Sequence, residues 1–360
     1  MKSIKTAIAA IATLASTIAF GGGLYIVANA DFNTPSLVFK MNVTTTSEPT
    51  PLFSAQLSGV MVKVDDGTVL TNTANQVLTH TFQTTGIHTL KAYSTNARAT
   101  LDFSDNTSIV EVPALKDLQI GKYAQLEIMP NFQRCSNLTK VGIPPKVTEF
   151  RNWYTLRYCH SLTNVVFNDK LRKIADLAFY YCTQLPSVTI PDTVVDIGSQ
   201  AFAGCSNLTS VVIGAGVTNI GTSAFTGNPK LGEVVVPDNV TVLGKQAFQN
   251  MASLSNVVIG AGVRSIEFAT ISSNPKLESV TLGSNITNIG EKAFTTCSKL
   301  KVLEIPASVQ TIGPNAFANC PLTNLSLPSF TQEQVLANKT TWAIKAGCVV
   351  ACSDGNVTIP

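Results

Sequence analysis

Apolar positions along most of this chain return with a period of 23 residues. Leu115, Leu138, Leu162, Leu185, Leu208, Leu231, Leu254, Leu277, Leu300 and Leu322 carry it, with one interval of 24 and a last one of 22. Residues Leu185–Asn207 write the unit most clearly: Leu185, Val188, Ile190, Pro191, Val194, Ile197, Gly198, Ala201, Phe202 and Cys205. Val188 and Ile190 alternate with polar residues, the period of a short strand that shows one face to a core. Pro191, replaced by Gly214, Gly260 or Gly283 in other units, ends that strand. Ile197-Gly198 predicts a second bend, and Ala201-Phe202 a short helical or irregular segment that drives a ring inward. No such unit buries its apolar face alone, so the pattern predicts a solenoid of about ten coils sharing one core.

The same period puts Cys135, Cys159, Cys182, Cys205, Asn228, Met251, Asn274, Cys297 and Cys320 at one position of the unit. Since Asn and Met replace Cys there, the position reads as a small buried hydrophobe or a turn amide, and its cysteines as buried thiols. Parallel side chains one strand spacing apart also hold Cβ atoms wider than the ~3.8 Å that a disulfide favours. Cys348 and Cys352 fall outside the array and form a candidate disulfide pair. Leu156 and Ile271 stand where other units carry Phe, and Glu267-Phe268-Ala269 replaces the second bend, so those two coils are expected to pack less regularly.

Residues 31–96 follow another pattern. Alternating runs at Val38–Val43, Val60–Val64 and His88–Tyr93, with turns at Asp65-Asp66-Gly67 and Thr84-Thr85-Gly86, predict a small β-sandwich. Residues 97–114 are strand-like but out of phase with the array of 115–328, and predict an N-terminal cap. Residues 329–360, with Trp342, leave the phase again and predict a cap over the last open coil.

The I-G-x-x-A-F-x-x-C run closing each unit resembles the BspA-like leucine-rich repeat of surface proteins, over residues 115–328. That resemblance implies a mainly β fold with short helical segments and a non-catalytic recognition protein acting in adhesion. The strands flanking Asp65-Asp66-Gly67 and the His88–Tyr93 strand resemble a PKD-type immunoglobulin-like domain, which carries Gly-Asp-Gly at that turn. Cys352-Ser353-Asp354-Gly355 resembles the closing strand of many BspA-like proteins.

Composition narrows the chemistry. With 45% hydrophobic and 13% charged residues the chain is packed. Its +3 charge falls to near neutrality without Lys2 and Lys5, and no basic cluster offers nucleic acid an electrostatic footprint. Residues 1–30 carry those two lysines, the apolar run Thr6–Phe20 and a small-residue ending, Ala28-Asn29-Ala30, the pattern of a cleaved export signal. The uncharged run is also long enough for an uncleaved anchor, although Gly21-Gly22-Gly23 disfavours a membrane helix. An apolar N-terminal helix without a targeting role is the third reading. His80, His88 and His160 have no neighbouring nucleophile, metal or phosphate motif, so no catalytic residue, cofactor, metal or small-molecule substrate is expected. Asp65-Asp66-Gly67 reads as a turn before it reads as a calcium loop.

What remains is a surface. Strand positions pointing away from the core carry Val166, Thr189, Val212, Glu233, Val235, Asn256, Val258 and Thr281. Val212, Val235 and Val258 predict an apolar stripe among polar residues, either a binding face or β-branched residues that merely suit strands. The expectation is an exported adhesion or recognition protein, extracellular or on the cell surface. Its partner would be a host or neighbouring-cell protein or a matrix component, with membrane contact only if residues 1–30 stay attached. The alternative is a virion fibre or decoration component that uses its N-terminal segment in assembly.

Overall fold

The computed structural model describes residues 132–360 apart from 137, 144–146 and 151–153, and before them the strands named below with the turn at 65–68. The fold is mainly β, a solenoid of about nine coils with one short helix among the described residues. Two compact units divide it, Met1–Lys170 and Leu171–Pro360.

The strands of the first unit are β1 (Leu24–Ile26), β2 (Leu37–Val43), β3 (Thr50–Ala55), β4 (Val60–Val64), β5 (Val69–Thr71), β6 (Gln76–His80), β7 (Gly86–Ser94), β8 (Ala99–Asp102), β9 (Leu115–Ile120), β10 (Lys140–Gly142) and β11 (Asn164–Val166). They form two sheets, ordered β1-β8-β3-β6 and β11-β10-β9-β2-β7-β4-β5. β9, β10 and β11 pair in parallel in the phase of the leucines, with Lys140 opposite both Asp117 and Asn164. On the other side of β9, β2 pairs antiparallel, placing Phe39 opposite Leu118. The first edge of the array is thus covered by an earlier strand, which denies it to other chains. Between β4 and β5 the Thr68 N–H donates to Asp66 Oδ1 at 2.9 Å, so this acidic turn caps its own backbone. Within the expected targeting segment, Leu24–Ile26 forms β1; residues 1–23 and 27–30 lie outside the described residues, as do Thr81, Phe82 and 103–114.

The second unit repeats one coil. Its leucine-side strands are β13 (Ser187–Thr189), β15 (Ser210–Val212), β17 (Glu233–Val236), β19 (Asn256–Ile259), β21 (Ser279–Thr281), β23 (Val302–Glu304) and β25 (Asn324–Leu327). Two-residue strands at the second bend alternate with them: β12 (Lys173–Ile174), β14 (Asp196–Ile197), β16 (Asn219–Ile220), β18 (Val242–Leu243), β20 (Ser265–Ile266), β22 (Asn288–Ile289) and β24 (Thr311–Ile312). Between these faces the repeat's Leu and Phe side chains are buried, and each buried ring contributes on the order of 1.5–3 kcal/mol. Phe179, Phe202, Phe225 and Phe248 stack with successive centroids 4.9, 5.4 and 5.8 Å apart, and Phe294 stacks on Phe317 at 6.1 Å. Ile271 interrupts the column while staying fully buried.

The segment expected to be short and helical or irregular holds the most continuous ladder. The N–H groups of Gln200, Phe202 and Gly204 donate to the carbonyls of Thr222, Ala224 and Thr226 at 2.9, 2.8 and 3.0 Å. The same three bonds recur at each junction until Lys292, Phe294 and Thr296 reach Pro314, Ala316 and Ala318. Each coil achieves this with two left-handed residues, such as Gln200 (φ 54°) and Gly204 (φ 71°), or Gln246 and Asn250 two coils later. A side chain at such φ costs roughly 1–2 kcal/mol; the bonds to the next coil offset it. Ile271 keeps its place in this ladder, donating to Ala293 at 3.0 Å.

The irregularity of that coil lies elsewhere. A Cβ on Gly198, Gly221 or Gly244 would meet the preceding coil's backbone at 2.5 or 2.6 Å, so glycine permits the close approach at the second bend. Glu267 fills that position with a Cβ, and there β18 and β20 do not pair. The leucine-side sheet is also divided: β13-β15, β17-β19-β21 and β23-β25 are separate ladders. At both seams a proline follows a glycine at the strand's end, Pro237 after Gly214 and Pro306 after Gly283. Where β17 and β19 pair, the Gly260 N–H donates to the Val236 carbonyl at 2.9 Å. Proline has no N–H to give. Pro328 follows Pro306 and β23 still pairs with β25, in the coil entered after the 22-residue interval.

The end of the array is closed twice. Helix α1 (Gln332–Trp342) starts with a capping box between Thr331 and Gln334, and its terminal carbonyls at Thr341 and Trp342 accept the N–H groups of Asn315 and Phe317. β26 (Val349–Cys352) extends the parallel sheet beside β25, and β27 (Gly355–Thr358) turns back antiparallel on it. This corrects the candidate disulfide, for Cys348 and Cys352 are free thiols. Four residue steps along extended chain separate them by roughly 13 Å, against the ~7 Å at most that a disulfide spans.

Candidate recognition surface

The outward face of the leucine-side sheet gathers most of the residues singled out in the sequence. Thr189 and Val212 are register partners across β13 and β15. Glu233 faces Asn256, whose Nδ2 donates to Glu233 Oε1 at 2.7 Å. Val235 faces Val258, and Val258 faces Thr281. Val212 and Val235 are 54% and 51% exposed, but the first seam runs between their strands. Val258 and Asn256 are half-buried, so the expected three-valine stripe narrows to two protruding valines. Val166 is 60% exposed on β11, in the first unit.

The cysteine position turns out to be a hydrogen-bond donor site. Cys205 Sγ donates to the Phe179 carbonyl at 3.2 Å and Cys320 Sγ to that of Phe294 at 2.9 Å. Asn228 and Asn274 make the same bond through Nδ2, each at 3.0 Å, to Phe202 and Phe248. Burial pushes the Cys205 thiol up to about 12, against a smaller opposing effect of the Cys182 backbone N–H. Such a thiol is no nucleophile at neutral pH. His160 is exposed beside the Tyr158 ring, 5.8 Å between centroids, in the first unit. Among the described residues no group of three or more His, Cys, Asp or Glu could hold a metal ion.

One feature of the face was outside the expected set. At the β21/β23 seam a groove of about 660 Å³ opens, lined by Glu278, Ser279, Thr281, Glu304, Ser308 and Ser326 among others. Lys299 Nζ lies 2.9 Å from Glu278 Oε1, and its hydrogen bond and then its charge hold that carboxyl below its ordinary value. The signal that could have found this groove is Pro306 following Gly283.

The family model described as BspA type Leucine rich repeat region matches residues 120–232 and 218–339, in six copies. No curated protein matches the chain. Among solved structures, the leucine rich repeat protein of T. pallidum is 27% identical, with 45% of this chain and 77% of that chain covered and a TM-score of 0.42. A leucine rich cell surface protein from Faecalibacterium prausnitzii A2-165 is 20% identical over 95% of this chain and 96% of that one, at a TM-score of 0.42. The pneumococcal vaccine antigen PcpA is 17% identical over 64% and 67% of the respective chains, at 0.41. With the family model covering more than half of its length, this chain belongs to the BspA type leucine-rich repeat family.

Proposed function

We propose that this chain is a non-catalytic recognition protein of the cell exterior, which binds a host, neighbouring-cell or matrix protein through the outward face of its leucine-side sheet. One observation carries the placement: Val212 and Val235 protrude, each more than half exposed, between the polar side chains of Thr189 and Glu233. Exposed apolar groups rimmed by polar ones favour association. Export is supported by Lys2, Lys5, the apolar run after them and Ala28-Asn29-Ala30. Cleavage after Ala30 would remove β1 and leave β8 with an open edge. Residues 31–96 are read as an immunoglobulin-like spacer, a reading supported by antiparallel pairing of β2 with β7 and of β3 with β6.

The test is the double variant Val212→Lys/Val235→Lys, assayed for capture on intact cells and immobilised matrix protein. Capture is expected to fall at least about tenfold, while the urea midpoint barely moves, since surface changes of this kind cost within ~0.5 kcal/mol. Undiminished capture by a folded variant would refute this placement.

A further inference from the structure

The groove at the β21/β23 seam differs in kind from the valine pair. No backbone hydrogen bond joins the two strands there, so the Val280, Leu282, Val302 and Glu304 N–H groups, which alternate away from the paired neighbours, face the opening. The lining holds two carboxylates, Glu278 and Glu304, with the hydroxyls of Ser279, Thr281, Ser284, Ser308 and Ser326, and it includes no lysine or arginine. We propose that this seam receives an extended polypeptide segment of the partner bearing lysine or arginine. The proposal rests on the recognition reading above and deepens it.

Three observations choose that occupant. An extended chain brings the N–H and C=O groups that an interrupted ladder lacks. Lys299 already shows the chemistry, for its ammonium sits on Glu278 at 2.9 Å with both side chains more than half exposed. Such a surface pair contributes little and is exchangeable for a partner's cation. Val302, 54% exposed at the rim, offers apolar surface for the stem of a long basic side chain. Other ligands fit less well. An anion would meet two carboxylates, no aromatic ring lines the groove as a platform for a sugar, and a divalent cation would find too few ligands.

The probe is fluorescein-labelled octalysine, titrated against the full chain at low salt and followed by anisotropy. Saturable binding is expected, about threefold to fivefold weaker for Glu304→Gln, the loss of one exposed charge contact. Lys299→Ala, which removes the resident competitor, is expected to tighten binding. Glu333→Gln, exposed on helix α1 and outside the groove, is expected to leave it unchanged. The proposal is overturned if Glu304→Gln binds like Glu333→Gln, if Lys299→Ala weakens binding, or if octaglutamate binds equally well. The two readings fail separately. Loss of cell capture in the valine variant with no effect of Glu304→Gln sinks the seam alone; the reverse sinks the valine placement and leaves the seam.

Discussion

Cysteine, asparagine and methionine share one position because of what the neighbouring carbonyl needs. The carbonyls of Phe179, Phe202, Phe248 and Phe294 each take a side-chain donor from the next coil, Cys Sγ or Asn Nδ2. Met251 has nothing to donate, and the carbonyl it leaves, that of Phe225, is served by Asn228 from within its own coil at 2.8 Å. Asn274 does more: Nδ2 bonds Phe248 and Ile271, and Oδ1 accepts the Met251 N–H at 2.9 Å. Asn274→Ala should therefore cost about 3 kcal/mol, with several buried groups left unpaired. Asn228→Cys keeps a donor toward Phe202 but gives up the bond to the Phe225 carbonyl, so it should cost less than that, about 1–2 kcal/mol; its Oδ1 has no partner to lose. Urea midpoints decide, and equal losses would contradict the donor account. The sequence shows that this position tolerates all three residues. It does not show why, since a thiol donor and a small hydrophobe leave the same trace in a hydropathy pattern.

At the level of elements, glycine and proline decide where strands meet. Glycine at the second bend lets one coil rest on the backbone of the last, and Glu267 shows the consequence of a Cβ there, a broken β18/β20 ladder. Gly244→Ala should reproduce that break between β16 and β18, at a cost of about 1–3 kcal/mol for overpacking. Gly232→Ala, with nothing within 4 Å of the added carbon, should change the urea midpoint far less. Similar midpoints for the two variants would refute the steric explanation. The strands, the buried phenylalanines and the phase of the coils were legible from the leucine period. The turn ladder was not, because Gln200, Ser223, Ala269 and Lys292 adopt positive φ at one position without a shared side-chain type. The seams lay in plain view as proline after glycine, but their meaning depends on knowing that this residue's N–H belongs to the ladder.

For the molecule as a whole, these parts divide the work between holding the coils and presenting a face. In the second unit the turn ladder runs unbroken from Leu177 to the carbonyls at the end of α1, while the leucine-side sheet is open at two seams. Coil stacking therefore does not depend on closing the sheet, and the face that carries Val212, Val235, Glu278 and Glu304 can hold gaps without loss of the core. β26 and β27 cover the far edge of β25, and the two internal seams remain as places where strand backbone is left unpaired. Native-state hydrogen exchange, resolved to single amides, tests this most directly. The N–H groups of Phe202, Phe225, Phe248, Phe294 and Phe317 should exchange slowest, while those of Leu282 and Val302 exchange quickly although they share their coils with Phe294 and Phe317. Comparable protection at Leu282, Val302 and Phe294 would contradict the account, for the sheet would then be closed and the seam would not exist.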